Sequence, residues 1–257
     1  YMKVRYPLEA FALAMVIFSQ NMRDALITGI LIILITLLGL VLDEVFFIRL
    51  PEWSRYSCII ILSVSLTYSL FQLVLKAVLG YDTDSDGTAF HIFLAILMAK
   101  YIIQADDDTN YDRFLLESSG AFASLIIISI IREFMTGGSI YGFKIADFTY
   151  TSYGFSQVVT GFILAGIGLA ILNRIFKYND INTESIYVIL PVALLVQPFT
   201  VTGIDPSVSI IIAVAVVIFM VYSVRQHLVF SRLSKEIKNM PAELVSAGMI
   251  YMILSML

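Results

Sequence analysis

The chain is poor in charge, cysteine and histidine. Charged residues make up 14% of its 257 residues, against about 25% in a typical soluble domain. Cys58 is its one cysteine, so a disulfide within the chain is excluded. The two histidines, His91 and His227, are far apart in the sequence. This separation argues against a Cys/His metal site built from this chain alone.

The sequence also lacks the local motifs of the common enzyme classes. It contains no phosphate-binding loop, zinc-protease helix or nucleophile elbow. It therefore supplies no candidate catalytic residue and no candidate cofactor ligand. No nucleic-acid partner is expected.

What the sequence has is a succession of long apolar runs. Hydrophobic residues make up 59% of the chain. The run 22–45 carries charge only at its ends, and the run 207–223 carries none. A bilayer core of about 30 Å needs about 20 apolar residues per spanning helix. The sequence therefore predicts an all-α, polytopic helical membrane protein in contact with the lipid bilayer.

Nine segments are predicted as transmembrane or partly spanning helices. They cover residues 7–20, 22–45, 56–80, 88–105, 114–136, 153–177, 184–199, 206–230 and 241–257. The first, fourth, seventh and ninth are short. Short apolar segments are typical of re-entrant or broken helices, which protein or a cavity must shield.

The distribution of Lys and Arg predicts the orientation of these segments. If all nine cross and the N-terminus is cytoplasmic, the outer side holds only Arg23, Lys76, Arg132 and Lys144, and the other twelve of the 16 basic residues lie inside. This bias follows the positive-inside rule. We expect a bacterial or archaeal cytoplasmic membrane, with the N-terminus in the cytoplasm.

One acidic stretch has the beginning of a calcium loop. Asp82, Asp84 and Asp86 alternate and Gly87 follows at the sixth position, but the twelfth position is Phe93 where such a loop has Glu. A solvated acidic turn is the favoured interpretation, and a weak calcium site is the alternative.

Two charged clusters on the predicted inner side are either solvated faces or docking surfaces for partner subunits. The acidic cluster is Asp106, Asp107 and Asp108, and the basic cluster includes Arg232, Lys235 and Lys238.

Ionisable residues within or beside apolar helices are costly in lipid and tend to face protein or water. Arg132 and Glu133 lie near the end of the fifth segment, and Arg23 and Asp24 lie between the first two. We predict that these four residues form an ion network, structural in the first interpretation and functional in the second. Lys76 and Lys100, near helix ends, are interpreted as snorkelling to the interface.

Four stretches resemble a known family. Residues 129–142, SIIREFMTGGSIYG, resemble the IRE-x-x-G-x-G-x-x-x-G motif of the Rnf and Nqr membrane subunits. LPEWSR at 50–55 and QLVLKA at 72–77 are similar to the family patterns IP-x-x-x-R and Q-L-x-x-K/N-A. The glycine-rich helix at 162–173 resembles the family's last helix. The resemblance covers residues 8–177 and is to the Rnf A/E and Nqr D/E subunits.

The resemblance implies a fold and a cofactor. Such subunits have six helices in two inverted halves, with broken helices meeting near the midplane. Paired subunits hold an iron–sulfur cluster between them, ligated by one cysteine in the first helix and one in the fourth. Here the corresponding positions fall near Leu13 and Ala99. Since such clusters mostly need thiolates, we expect this chain alone to bind no cluster, and iron–sulfur and flavin groups to lie in partner subunits.

The resemblance also divides the chain. Residues 1–177 would form the six-helix core, and 178–257 would add C-terminal helices. The similarity between the stretches that begin at Leu8 and Leu190 favours one interpretation, in which these helices are the start of a second repeat. The stretch from Pro241 resembles the final helix of sister subunits, which favours another. Both interpretations stay open.

The sequence thus leads to two functional hypotheses. The first is a membrane subunit of an Rnf/Nqr-like, electron-transfer-coupled ion-translocating complex, structural or pathway-forming and without its own cluster. The alternative is a stand-alone secondary transporter of an ion or small solute. Under the first hypothesis other membrane subunits are the expected partners, and the chain is a non-catalytic part of a redox-driven translocase.

Overall fold

The computed structural model of the chain describes residues 6–47, 49–78, 85–105, 110–145, 152–177, 184–197, 205–227 and 237–254. These ranges contain nine α-helices, which confirms the predicted all-α class. In chain order they are α1 (Leu8–Ile17), α2 (Met22–Leu42), α3 (Glu52–Gln72), α4 (Ser85–Gln104), α5 (Tyr111–Gly137), α6 (Val158–Phe176), α7 (Ile186–Leu195), α8 (Pro206–His227) and α9 (Met240–Leu254).

Short irregular turns extend or join these helices. A 3-10 turn, Phe18–Gln20, follows α1, and π-helical turns extend α2 and α3. A two-residue ribbon, β1 (Ser139–Ile140) paired with β2 (Phe143–Lys144), lies between α5 and α6. Tyr141 and Gly142 form its turn with positive φ values of 56° and 79°, the conformation that tight hairpin turns require.

Each predicted segment overlaps one helix, but α3, α4, α5 and α9 begin earlier than predicted, and the causes are clear for α3 and α5. Helix α3 starts at Glu52, directly after Pro51 in an extended conformation. Helix α5 starts at Tyr111, because the Asn110 side chain accepts a hydrogen bond from the Arg113 N–H and caps the first turn. In both cases capping and backbone preference extend a helix into polar sequence.

Five of the described helices are long and apolar enough to cross a membrane. They are Met22–Phe47, Glu52–Lys76, Gly87–Gln104, Tyr111–Gly137 and Val158–Phe176. The fourth segment, expected to be short, is among them. Helices α1, α7 and α9 and the stretch Val208–Val224 of α8 are shorter apolar helices. The six-helix inverted repeat stays a prediction.

The helices bury one face and leave apolar side chains on the other. In α3 only Ile59, Ser63, Thr67 and Phe71 are buried, at intervals of four residues. In α2 the outward side chains at successive turns are Ile30, Leu34, Leu38 and Val41. An outer surface this apolar is unusual for a protein surrounded by water.

Helices from the predicted C-terminal part pack directly on the first six. Helix α9 lies against α6, and α7 contacts α1, α4 and α8. At Gly166 of α6 the two backbones approach so closely that an added Cβ would lie 2.7 Å from the Pro241 carbonyl oxygen and 2.6 Å from the Val245 side chain. Small residues at such crossings let membrane helices approach each other.

Gly166→Ala is therefore expected to destabilise the protein. Because the new methyl group must displace backbone, we expect a loss of about 1–3 kcal/mol, the usual cost of overpacking. Thermal unfolding in detergent measures it. Gly87→Ala is the matched control, since no described atom lies within 4 Å of its added Cβ. Equal melting temperatures for the two variants would contradict the close α6–α9 contact.

Candidate functional site

Helix α1 is short and lies in the middle of the bundle. All residues from Leu8 to Val16 are buried, and α1 contacts α2, α4, α5, α6 and α7. Its 10 residues span about 15 Å, half of a bilayer core of about 30 Å. Because both ends of α1 lie inside the protein, its terminal backbone groups need protein partners.

At the C-terminal end of α1, the Arg132 guanidinium supplies these partners. It is fully buried. Nη1 donates to the Val16 carbonyl at 3.0 Å and to the Ser19 hydroxyl at 2.6 Å. The Ser19 hydroxyl in turn donates to the Met15 carbonyl. A cation that binds the last carbonyls of a helix also complements its dipole.

The remaining donors of Arg132 bind the chain that leads into α6. Nε donates to the carbonyl of Phe155 at 3.0 Å, and Nη2 donates to those of Ser156 and Gln157 at 3.1 and 3.0 Å. Arginine has five N–H donors in a fixed fork, and here each has an oxygen acceptor. We call Arg132, Ser19 and the five carbonyl groups they bind the Arg132 clamp.

The neighbouring Glu133 caps the next helix. Its Oε2 accepts from the N–H of Met22, the first residue of α2, at 2.8 Å. Its Oε1 accepts from the N–H of Gly142 in the ribbon turn, also at 2.8 Å. A carboxylate at a helix N-terminus complements the dipole. Arg132 and Glu133 thus hold the two sides of the break between α1 and α2.

The contacts of Arg132 and Glu133 described above go to backbone groups and to the Ser19 hydroxyl, and a single ion network of the four residues stays a prediction. Arg132 and Glu133 both reach the segment that precedes Arg23 and Asp24. The Asp24 carboxylate accepts a hydrogen bond from the Asn21 amide at 3.1 Å. Sequence patterns detect pairs of charged side chains, whereas carbonyl and N–H partners carry no signal in the sequence.

A second group of contacts, the Lys100 clamp, holds the N-terminal end of α1. Lys100 Nζ of α4 donates to both carboxylate oxygens of Glu9 at 2.8 Å. It also lies 3.7 Å from the ring centroid of Tyr187 in α7. The N–H of Glu184 donates to Glu9 at 3.3 Å. The clamp comprises Glu9, Lys100, Glu184 and Tyr187, and joins α1, α4 and the start of α7.

The interpretation of Lys100 as a snorkelling lysine is wrong. Its side chain is 24% exposed and that of Glu9 is 10% exposed, so this is a partly buried ion pair. The two residues are 91 positions apart, which hid the pair from local sequence reasoning. The signal was Glu9 itself, the one charge between Leu8 and Phe18. Lys76 is exposed in the π-helical turn that extends α3, and its interpretation as a snorkelling lysine stays a prediction.

Further polar contacts join helix ends elsewhere in the described part of the chain. Arg55 of α3 binds the Asp43 carboxylate through two hydrogen bonds of 2.8 and 2.6 Å. The Ser185 hydroxyl donates to the buried Glu243 of α9. These contacts join α2 to α3 and α7 to α9 by their ends.

The two positions that the family resemblance matches to cluster ligands are aliphatic and fully buried. Leu13 lies in α1 and Ala99 in α4, and these helices contact each other. Cys58 is a free thiol, partly buried in α3. The described residues contain no group of three or more His, Cys, Asp and Glu side chains that could hold a metal ion.

The remaining candidates lie largely outside the described residues. This holds for Asp82 and Asp84 and for the side chain of Asp86 in the calcium candidate. It also holds for Asp106, Asp107, Asp108, Arg232 and Lys235 of the docking clusters. Lys238 is described and exposed, just before α9. The calcium and docking interpretations therefore stay predictions.

Comparisons with known proteins assign the chain to no family. Its sequence matches no protein-family model and no curated protein, and it matches no solved structure. Its described part is a helical bundle with five helices of membrane-spanning length, of which α2, α4, α5 and α6 pack on the buried 10-residue helix α1.

Substitutions at Arg132 are expected to show how much stability depends on the number of hydrogen-bond donors and how much on the positive charge. Lysine keeps the charge but has three donors, so it cannot bond all five acceptors, and methionine donates to none of them. The Gln157 carbonyl would keep its bond from the Gly161 N–H at 3.3 Å. Each buried acceptor without a donor costs about 1–3 kcal/mol. We expect stability in detergent to fall from wild type to Arg132→Lys to Arg132→Met. Arg174→Met, at an exposed position in α6, is the control and should cost little. Wild-type stability of Arg132→Lys would contradict the clamp.

The Lys100 clamp is tested by a double-mutant cycle. Lys100→Met leaves the Glu9 carboxylate buried without its cation, whereas Glu9→Gln with Lys100→Met removes both charges. The double variant should therefore be more stable than Lys100→Met alone. Contacting residues usually couple by about 0.5–3 kcal/mol. Chemical unfolding of the four proteins measures the coupling, and additive effects would show that the pair contributes no interaction energy.

Proposed function

We propose that the chain is an integral membrane subunit of an Rnf/Nqr-like, electron-transfer-coupled ion-translocating complex. The first support concerns the membrane itself. Five helices have spanning length, and their outward faces carry apolar side chains at successive turns. Lipid is the solvent in which such faces are stable. The Lys and Arg bias favours a cytoplasmic N-terminus in a bacterial or archaeal membrane.

The main support for the proposed family assignment comes from Arg132 and Glu133. Arg132 and Glu133 are the charged residues of the motif that resembles the Rnf and Nqr subunits. In this chain the same two residues bind the end of α1 and the start of α2. The family resemblance implies broken helices, and the motif here is bonded to a helix break. Motif and geometry therefore support the same architecture.

The proposed role is structural or pathway-forming. Leu13 and Ala99 cannot ligate iron, so electrons would pass through iron–sulfur or flavin groups in partner subunits. What this chain contributes is a half-length helix with polar groups at both ends, held inside the bilayer. Discontinuous helices of this kind mark the ion and substrate sites of many transporters.

A second candidate is a stand-alone secondary transporter. The observation that favours it is the Lys100 clamp, because an intramembrane ion pair at the end of a short helix is a common substrate or proton site. The two candidates differ in whether the chain works alone.

Purification from native membranes tests the first proposal. We expect the mildly solubilised chain to co-purify with membrane subunits whose absorption spectrum reports flavin or iron–sulfur groups. The chain isolated from them should contain no stoichiometric iron. The Arg132→Met variant should lose its partners if it loses the helix break, while Arg174→Met should keep them.

Two results would contradict this proposal. Stoichiometric iron with a cluster spectrum in the isolated chain would overturn the absence of its own cluster. Accumulation of an ion or solute by liposomes that contain the chain alone would favour the transporter.

A further inference from the structure

The ribbon between α5 and α6 leaves large apolar side chains uncovered. Phe143 is 73% exposed, Ile145 is 60% exposed and Tyr141 in the turn is 48% exposed. Tyr153, which begins the short turn before α6, is 77% exposed. Apolar side chains that are uncovered as a group usually mark a surface that binds a partner or a membrane.

The ribbon has one apolar side and one polar side. Side chains directly opposite each other on two antiparallel strands lie on the same side of the ribbon. Ile140 pairs with Phe143, and Ser139 pairs with Lys144. Because side chains alternate along a strand, Ile145 lies on the side of Phe143. We call Ile140, Phe143 and Ile145 the apolar side of the ribbon.

Hydrogen bonds turn the ribbon back along the last turn of α5. The Ile145 N–H donates to the Gly138 carbonyl at 2.9 Å. At the tip, the Gly142 N–H donates to Glu133 Oε1 at 2.8 Å. Helix α5 ends at Gly137, four residues after Glu133, which is about 6 Å along the axis. The tip therefore lies beside α5 and does not project away from the end of the helix.

The same carboxylate makes the tip level with the start of α2. Glu133 Oε2 accepts a hydrogen bond from the Met22 N–H at 2.8 Å. From Met22 the helix and its π-helical turn continue to Phe47 over 26 residues, a length of about 39 Å. This length is close to the thickness of a bilayer with its headgroup regions, about 40–45 Å. When the far end of α2 lies at one membrane interface, the ribbon lies at the other.

The far end of α2 carries the side chains that are typical of an interface. Phe46 is 62% exposed, and Trp53 and Tyr56 at the start of α3 are 75% and 41% exposed. Between the two ends, the outward side chains of α2 are aliphatic, as at Leu34 and Leu38. Aromatic residues at both ends of an aliphatic surface match the aromatic belts of membrane proteins.

We propose that the apolar side of the ribbon inserts into the headgroup region of the bilayer and anchors the α5–α6 connection to lipid. Lys144, on the polar side, would lie towards the lipid phosphates, as basic residues of interfacial elements do. Because Glu133 binds both Gly142 and Met22, the anchor also fixes the depth of the break between α1 and α2. The inference rests on the membrane location in the proposed function and not on the family resemblance.

Depth-dependent fluorescence quenching tests the anchor. Trp53 is the one tryptophan of the chain, so Trp53→Phe gives a background in which a single tryptophan can be placed at a chosen depth. The chain alone is reconstituted in phosphatidylcholine vesicles whose acyl chains carry bromine near the headgroup or near the methyl end. We expect Phe143→Trp to lose more emission to bromine near the headgroup than to bromine near the methyl end, and little to iodide in the water.

Two further positions calibrate this result. Leu34 lies 12 residues after Met22, or about 18 Å deeper, so Leu34→Trp should be quenched most by bromine near the methyl end. Lys144→Trp is the matched control on the polar side of the same ribbon, and iodide should quench it more than it quenches Phe143→Trp. If Phe143→Trp fails to fold, Ile145→Trp provides the same comparison.

The outcomes separate the anchor from the membrane location. Quenching of Phe143→Trp by iodide without quenching by either lipid would overturn the anchor, because the ribbon would then lie in water. Protection from both quenchers would also overturn it, since protein would then cover the ribbon. If Leu34→Trp responds to neither lipid, the membrane location itself is wrong, and the proposed function fails with it. A lipid response at position 34 with none at position 143 contradicts the anchor alone.

Discussion

The structure depends on the five N–H donors of Arg132. A helix that ends inside a protein exposes carbonyl groups that water cannot reach, and α1 ends in this way. One buried guanidinium satisfies that end and the three carbonyls before α6 at the same time. It therefore joins α1, α5 and the entry to α6 at one point. Glu133 does the same for the first N–H group of α2, that of Met22.

The two clamps stabilise α1 by different physics. The Arg132 clamp uses a cation with dipolar partners, whereas the Lys100 clamp pairs a cation with a carboxylate and an aromatic face. A guanidinium is weakly hydrated and presents a planar fork, which suits full burial among carbonyls. An ammonium is strongly hydrated, and Lys100 lies where its side chain is still partly exposed. Each cation thus occupies the environment that its hydration permits.

The sequence predicted whatever depends on local composition. Apolar runs located all nine helices in the described ranges, and one acidic residue in an apolar stretch, Glu9, could have been singled out in the same way. The sequence also singled out Arg132 and Glu133, because charged residues near apolar helices are rare. The partners of Arg132 and Glu133 could not be predicted from the sequence. They include backbone groups of Val16 and Met22, and a backbone group leaves no pattern of side chains in the sequence. Lys100 was misinterpreted because its partner is 91 residues away, and only the packing of α1 on α4 joins them.

The geometry also bears on the motif by which the chain resembles the Rnf and Nqr subunits. Arg132 and Glu133 bind backbone groups at the break between α1 and α2, so in this chain the two charged residues of that motif stabilise the break. Under the proposed function, redox chemistry would depend instead on the residues at positions 13 and 99, where thiolates could ligate iron. Leu13 and Ala99 make none of the side-chain hydrogen bonds that hold the break. The proposed structural or pathway-forming role therefore needs no iron ligand in this chain.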